Sequence, residues 1–389
     1  MTQARPLNIL VSPNSFKGSL AAPVAAQAIG RGLERSGLAC LLDLMPIADG
    51  GDDTLEVLVG QAGKLEFLEV QDPLGWPIRA ALGLLADGRS AVVEMARASG
   101  LKLLKDQERD PLLTTTYGTG QLIARAVELG VKRIIVGVGG SATTDGGAGC
   151  LQALGVRFFD QAGREIRPVG GNLDQIHRID LSGLSPGLKA VKIEIACDVD
   201  NPTLGPQGAA AVFGPQKGAS PQKVKILEAN LTHFFTLARE VTGNDLASTP
   251  RGGAAGALAA GLAAFLGAEL KSGIELVLEA LGADERLKKA DLAITGEGRI
   301  DATTLKGKGP AGLLVWAKRH AVPVIALAGS LGPGHEEFLN LGLSAALPIC
   351  PGPMSLEEAM TQAESLIEQA AFRLGRLIGV GRGFGGIRR

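Results

Sequence analysis

The chain has 389 residues, a formal net charge of -1, and a composition that is 46% apolar but only 4% aromatic. This charge balance provides no basic field, so we expect no nucleic-acid or membrane partner and favour a small-molecule ligand. The length favours two domains. Four widely spaced cysteines without a CxxC pair indicate reduced thiols. The N-terminal residues lack the pattern of an export signal, which favours a cytoplasmic location.

Both ends of the chain show apolar strands that alternate with helices. The first part predicts strands at 7–11 and 41–46, and helices at 21–35 and 52–61. The pattern resumes near the C-terminus with strands at 292–295, 324–328 and 345–349, and helices at 310–320, 335–341 and 355–377. Five short strands separated by helices are typical of an α/β, Rossmann-like or flavodoxin-like parallel sheet.

The middle of the chain has a different sequence pattern. Strands predicted at 65–70, 78–84 and 91–95 are joined by turn-rich segments, which indicates hairpins. We therefore expect a second, mixed α/β domain at 64–285, inserted into a parallel-sheet domain formed by 1–63 and 286–389. The apolar segment at 252–268 is slightly short for a membrane span and is interpreted as a buried helix.

Four turns of the outer domain carry polar or small residues at the carboxyl ends of strands. In an open parallel sheet these ends share one edge, where backbone N–H groups of helices can bind anions. The turns present Ser15, Lys17, Asp49, Glu297, Arg299 and Asp301, together with a Gly/Ser turn at 329–332. Any one of them is compatible with an ordinary turn. Four at one edge favour a site for a charged ligand.

The inserted domain carries a second group of candidate residues. A strand at 133–137 leads into 139–149, a segment rich in glycine and hydroxyl groups that suits close approach of the backbone to phosphate. A strained connector is the alternative. After a strand at 193–196, Asp198 and Asp200 are spaced to bind Mg²⁺ or to accept a hydroxyl proton, although a capped turn would look the same.

Several enzyme classes can be weighed against these patterns. A Walker A motif is absent, because Lys308 is followed by Gly309, and the protein-kinase motif set is absent too. An NAD-dependent dehydrogenase of a small hydroxy acid is an alternative, since residues 137–142 approach the GxGxxG pattern and Asp160 lies about twenty residues beyond. A non-enzymatic small-molecule sensor is the third possibility.

Eight motifs appear in one order along residues 8–350. They are PNSFKGSL at 13–20, ADGG at 48–51, TTYGTGQLI at 115–123, GVGGSATTDGGAG at 137–149, ACDVDNPTLGP at 196–206, AVFGPQKGA at 211–219, GGAAGALAAGL at 252–262 and TGEGRIDATTLKGK at 295–308. In these motifs the chain resembles the type-1 glycerate kinase family. It departs from the family where Asp52-Asp53 follow ADGG in place of Glu-Gly.

The resemblance implies an ATP- and Mg²⁺-dependent phosphotransferase acting on D-glycerate. Either hydroxyl of glycerate is a possible acceptor; we expect 2-phosphoglycerate, and the sequence leaves monomer or homodimer open. Phosphoryl transfer mainly needs positioning and charge neutralisation.

Residue types in the matched motifs suggest roles for individual side chains. Asp198 is the candidate base or metal ligand, with Asp301 as its rival and Asp200 as a second metal ligand. Lys217 and Lys308 would neutralise the transferred group. The residues expected to bind phosphate, substrate or Mg²⁺ are Ser15, Lys17, Asp49, Gly139, Gly140, Ser141, Thr143, Glu297 and Arg299.

Overall fold

The computed structural model describes residues 5–51, 53–60, 62–302, 304 and 309–385. The chain forms two compact units, one from Met1–Asp49 with Ile274–Arg389 and the other from Gly50–Gly273. We call them the outer unit and the inserted unit.

The described part of the chain contains thirteen strands and fourteen α-helices. The strands are β1 (Leu7–Val11), β2 (Cys40–Leu44), β3 (Lys64–Gln71), β4 (Pro77–Leu84), β5 (Ser90–Glu94), β6 (Arg133–Gly137), β7 (Arg157–Phe159), β8 (Arg178–Asp180), β9 (Lys192–Ala196), β10 (Glu269–Lys271), β11 (Leu292–Ile300), β12 (Val324–Leu331) and β13 (Leu343–Pro348). The helices are α1 (Ala22–Arg35), α2 (Thr54–Val59), α3 (Ala96–Ser99), α4 (Tyr117–Glu128), α5 (Ala148–Ala153), α6 (Ala209–Phe213), α7 (Pro221–Thr242), α8 (Ala254–Leu266), α9 (Gly273–Ala280), α10 (Ala283–Leu287), α11 (Gly309–Arg319), α12 (Glu337–Leu341), α13 (Leu356–Thr361) and α14 (Ala363–Gly385).

The outer unit is built on a five-stranded parallel sheet in the order β13-β12-β11-β1-β2. Its central strands are apolar and buried, and one core cluster joins β1 and β11 to α1 and α14. The predicted α/β class and the origin of this sheet in both chain ends are confirmed.

The inserted unit contains a mixed six-stranded sheet in the order β10-β9-β6-β5-β4-β3. Strands β3, β4 and β5 pair antiparallel, as the hairpin pattern predicts. Strands β5, β6, β9 and β10 are parallel, because helices and long connections return the chain to the same end of the sheet. A separate antiparallel pair, β7–β8, lies outside this sheet.

The units divide at different residues from those expected from sequence. We placed the boundaries at 63/64 and 285/286, whereas the structure divides at 49/50 and 273/274. Helix α2 belongs to the inserted unit because it packs on β4, where a Cβ at Gly83 would lie 2.6 Å from the side chains of Leu55 and Val59. Helix α9 packs in the outer unit, with Ile274 against Gly312 of α11.

One predicted helix differs in detail from the structure, and another is confirmed. The segment expected as one helix at 355–377 forms two helices, α13 and α14, and α14 continues to Gly385. The apolar segment at 252–268 contains α8, which is buried as expected. Among the described residues, we find no helix with the length and apolarity needed to cross a membrane.

Candidate active site

The parallel strands of the inserted unit end in one row. Glu94 of β5 is in register with Gly137 of β6, which is in register with Ala196 of β9, and Ala196 with Lys271 of β10. The segments that follow these residues carry the glycine-rich motif and the Asp198 motif. The row therefore brings two groups of predicted site residues to one edge of the sheet.

The second half of the ADGG motif lies against the same edge. The N–H of Gly139 donates to the carbonyl of Gly50 at 3.3 Å, and a Cβ at Gly139 would lie 2.7 Å from the Cα of Gly51. Gly50 has a φ of 86° and stands close to Ala196. These approaches require glycine, because no side chain fits between the two backbones.

The glycine-rich loop after β6 has a tip at Gly139, Gly140 and Ser141, in which the two glycines are accessible and Ser141 is only 9% exposed. Gly140 is exposed with a φ of 70°. Its carbonyl accepts a hydrogen bond from the N–H of Leu101 at 2.8 Å, which fixes the tip from one side. Two accessible glycines in a fixed tip leave room for an anionic group to approach the backbone.

The remainder of the loop is buried and organised around Asp145. This carboxylate is fully buried and accepts hydrogen bonds from Thr116 N, Thr116 Oγ1, Gly147 N and Gly149 N at 2.8 to 3.2 Å. Burial raises the pKa of Asp145, against the opposing effect of these four donors. Asp145 is not among the site residues predicted from the sequence. Its position in a Gly- and Thr-rich run was the available signal.

Lys217 lies beneath the loop. Its side chain is only 1% exposed, and its Nζ donates to the carbonyl of Thr143 at 2.6 Å. Burial lowers the pKa of Lys217 to about 7, while the charge of Asp145 acts to raise it. Thr143 is itself buried, and its Oγ1 has no hydrogen-bond partner among the described residues. Direct phosphate contact by Lys217 or Thr143 would therefore require the loop to move.

A left-handed turn at the start of α8 supports the loop from below. Ala255, Gly256 and Ala257 have φ values of 53°, 64° and 68°. Such conformations cost non-glycine residues roughly 1–2 kcal/mol each. A Cβ at Gly256 would lie 2.0 Å from the carbonyl oxygen of Thr143, and the N–H of Gly146 donates to the Gly256 carbonyl at 3.0 Å. This close contact requires glycine at position 256.

The two acids of the DxD motif have different surroundings. Asp198 is half-buried, and its Oδ1 accepts hydrogen bonds from Gly273 N at 2.8 Å and Ser272 Oγ at 3.1 Å. Asp200 is 88% exposed and its carboxylate stands 3.4 Å from the guanidinium of Arg251. The structure thus orients Asp198 at the sheet edge and leaves Asp200 toward solvent.

An ion-pair group at the same edge was missed by the sequence analysis. Arg97 of α3 donates from Nε to Glu94 at 3.3 Å and from Nη2 to Glu56 of α2. Glu94 is almost completely buried at the end of β5. The group links α2, which follows the ADGG motif, to the row of strand ends. No motif marks these residues, since only the strand register brings them together.

The segments predicted as turns in the outer unit lie close together, but two of them are wrong as turns. Residues 296–300 and 329–331 are the last parts of strands β11 and β12, which run further than their apolar segments. The N–H groups of Ser12 and Asn14 donate to the carbonyls of Ile294 and Gly296. The segment that follows β1 therefore runs alongside β11. Gly298 lies against the backbone of Lys17. Ser15, Lys17 and Glu297 therefore share the carboxyl edge of β1 and β11.

Asp49, Arg299 and Asp301 extend this group. Asp49 follows Ile47, whose N–H donates to the carbonyl of Pro13 at 2.9 Å. Arg299 Nε donates to Asp301 Oδ2 at 2.8 Å. Lys308 and Asp52 lie outside the described residues. Within the described ranges, we find no group of three or more His, Cys, Asp or Glu side chains arranged to hold a metal ion.

The geometry expected for a dehydrogenase is not formed. A dinucleotide fingerprint needs a helix that begins within the glycine turn, but α5 begins at Ala148, well beyond residues 137–142. Asp160 follows β7, which pairs antiparallel with β8 outside the parallel sheet. The spacing that favoured this alternative is therefore coincidental.

A parallel-sheet unit with an inserted mixed unit, each carrying glycine, hydroxyl and charged residues at the carboxyl ends of its strands, defines an α/β enzyme for a small anionic ligand. Comparisons with known proteins define the family. Residues 9–379 match the model of the glycerate kinase family.

Relatives with high identity extend over nearly the whole chain. The chain is 49% identical to a glycerate kinase of Halalkalibacterium halodurans, with 93% of this chain and 96% of the relative covered. It is 43% identical to the glycerate 2-kinase of Escherichia coli, with 96% and 99% covered. A crystal structure provisionally assigned as glycerate kinase 2 from Salmonella typhimurium LT2 superimposes with a TM-score of 0.89 at 43% identity, covering 97% of this chain and 100% of that one.

The chain therefore belongs to the glycerate kinase family. It is an enzyme with glycerate kinase activity, and this activity implies glycerate and ATP as substrates. The resemblance seen in the eight motifs is confirmed, and the dehydrogenase and sensor alternatives are set aside.

Proposed function

We propose that the chain transfers the γ-phosphoryl group of ATP to the C2 hydroxyl of D-glycerate, giving 2-phosphoglycerate and ADP. The choice of C2 is supported by the 43% identity to the E. coli relative that is named glycerate 2-kinase. The observation that carries the proposal is the pairing of an accessible glycine-rich tip after β6 with an oriented carboxylate, Asp198, after the adjacent strand β9.

The glycine-rich tip is our proposed phosphate contact. Gly139 and Gly140 are the accessible residues of the tip, and Ser141 beside them is largely buried. The Gly139 N–H already donates to Gly50, so the Gly140 N–H and the Ser141 hydroxyl are the proposed donors to phosphate oxygens. Because phosphoryl transfer depends on positioning and charge stabilisation, a tip held by backbone hydrogen bonds to Gly50 and Leu101 suits this task.

Asp198 is our proposed base or Mg²⁺ ligand. Its Oδ1 is already held by two donors, so the carboxylate has one orientation. A carboxylate suits Mg²⁺, which is commonly bound by one or two such groups together with substrate phosphates and water. Asp200 fits this role less well because it is exposed and stands beside Arg251. Bound Mg²⁺ would supply neutralisation of phosphate charge.

In the outer unit we propose that Ser15, Lys17 and Arg299 contact anionic groups of the substrates. Lys17 and Arg299 are exposed cations at the edge where β1 and β11 end. Asp49 and Glu297 are proposed as partners for hydroxyl groups or Mg²⁺, and Asp301 stays the rival base. Lys308 remains a proposed cation for the transferred group on sequence grounds.

The product decides the regiochemistry. Purified enzyme is incubated with ATP, Mg²⁺ and D-glycerate, and phosphoenolpyruvate formation by added enolase is followed with and without phosphoglycerate mutase. We expect immediate signal without mutase, since enolase consumes 2-phosphoglycerate directly. Signal that appears only when mutase is added would refute phosphorylation at C2.

A further inference from the structure

Lys217 is a buried cation whose backbone is also fixed. It ends a short 3₁₀ helix at Pro215–Lys217, and Gly218 follows with a φ of 95°. A Cβ at Gly218 would lie 2.1 Å from the carbonyl oxygen of Arg109, so the chain cannot shift easily at this point. Burying a lysine is costly unless its ammonium is hydrogen-bonded and charge-balanced. Its presence therefore indicates a specific contact.

That contact is made to the backbone of the loop. Lys217 Nζ donates to the Thr143 carbonyl, which lies three residues beyond the exposed Gly140 of the tip. The same carbonyl oxygen faces the left-handed turn at Gly256. Asp145 anchors the next part of the loop through its four donors. The loop segment between the tip and α5 is therefore hydrogen-bonded to one buried cation, Lys217, and organised around one buried carboxylate, Asp145.

We infer that Lys217 is a positioning residue for phosphoryl transfer: from beneath the loop its ammonium holds the Thr143 carbonyl, and thereby the Gly139–Ser141 tip, in the geometry that receives phosphate. This inference rests on the proposed phosphate contact of the tip. It differs from direct neutralisation of the transferred group, because the ammonium is bonded to the loop's own backbone and is shielded from solvent.

The protonation state of Lys217 provides a distinctive readout. Burial lowers the pKa of Lys217 to about 7, and Asp145 is the charged side chain that opposes this shift. Arg109 adjoins the next residue, Gly218, through its backbone. Below its pKa Lys217 is an ammonium that donates strongly and balances Asp145. Above it the neutral amine holds the carbonyl more weakly.

The test compares Lys217→Met with wild type and with Lys223→Met, a matched control. Lys223 lies nearby in sequence but is part-exposed and pairs with Asp110. We expect Lys217→Met to lower kcat about 10- to 100-fold with KM for ATP changed less than about threefold, as for a misplaced reacting group. Lys223→Met should retain wild-type kcat.

The ratio of wild-type to Lys217→Met kcat should also fall as pH rises from about 6 to about 9, because wild type loses its own ammonium over this range. A purely structural packing role predicts a constant ratio, and that result overturns the inference. Ser141→Ala, measured in parallel, tests the tip itself. An unchanged KM for ATP in Ser141→Ala would count against the proposed function, whereas a raised KM in Ser141→Ala beside a normal kcat in Lys217→Met would overturn only the positioning role.

Lys217→Arg covers the case in which Lys217→Met does not fold. Arginine stays charged throughout this pH range. We expect wild-type kcat to decline above about pH 7 and Lys217→Arg to lack that decline. The same alkaline decline in both proteins would contradict the inference.

Discussion

Replacing Asp198 with asparagine tests the chemistry of the inserted unit most directly. The Asp198 Oδ1 accepts two hydrogen bonds, at 2.8 Å from Gly273 N and at 3.1 Å from Ser272 Oγ. Asparagine keeps an oxygen that can accept both, but the bonds lose their charge assistance. We expect the free energy of unfolding to fall by about 1–3 kcal/mol, which leaves the protein folded.

The activity of Asp198→Asn should fall much more than its stability. If the carboxylate is the base, kcat should drop by about 10²–10⁴ with ATP binding nearly unchanged. If it is a Mg²⁺ ligand, part of the loss should be restored at high Mg²⁺, because a weakened site refills by mass action. ADP formation at saturating ATP and glycerate, measured over a series of Mg²⁺ concentrations, separates the two roles.

Asp200→Asn is the matched control for this experiment. It removes the same charge two residues away, but Asp200 is 88% exposed beside Arg251. Exposed ion pairs contribute roughly 0–1 kcal/mol, so we expect kcat within about twofold of wild type. A near-normal kcat in Asp198→Asn, or equal losses in both variants, would refute the reasoning and favour Asp301 as the base.

Three further changes test the loop and the inserted sheet. Ser141→Ala should raise KM for ATP several-fold with little effect on melting temperature, measured by steady-state kinetics and calorimetry; an unchanged KM would contradict a phosphate contact at the tip. Gly256→Ala should destabilise the unit by about 3 kcal/mol or more, since its Cβ would meet the Thr143 carbonyl at 2.0 Å, and a neutral result in urea unfolding would argue against that contact. Burial raises the pKa of Glu194, but Lys271 and its basic neighbours outweigh this and lower it to about 2 from 4.5, so Glu194→Gln should cost stability at neutral pH and progressively less as pH falls from 4.5 toward 2. A pH-independent difference in unfolding free energy would contradict this assignment.

Local sequence patterns predicted the elements of the fold well. Strand β1 and strand β6 begin and end where the apolar runs do, and the βα rhythm of both chain ends indicated a shared parallel sheet. These features are local, because alternating burial and turn chemistry are encoded over a few neighbouring residues. The boundary near α2 was misplaced for the opposite reason. A six-residue helix shows no local sign of which sheet it will cover.

The motifs that form the site could be predicted from the sequence, but the burial of each site residue could not. The sequence placed Ser141, Thr143 and Lys217 in matching motifs and suggested phosphate chemistry for all three. Only the tertiary structure decided that Ser141 lies beside the exposed Gly140, whereas Thr143 and Lys217 are almost completely buried and bonded to each other. Lys217 and Thr143 are 74 residues apart, and the burial of a polar group depends on such distant partners rather than on its neighbours in the chain. Composition and periodicity determined the class of fold, and the similarity of the motifs determined the family. Long-range packing decided which residues can reach a substrate and which can only hold the others in place.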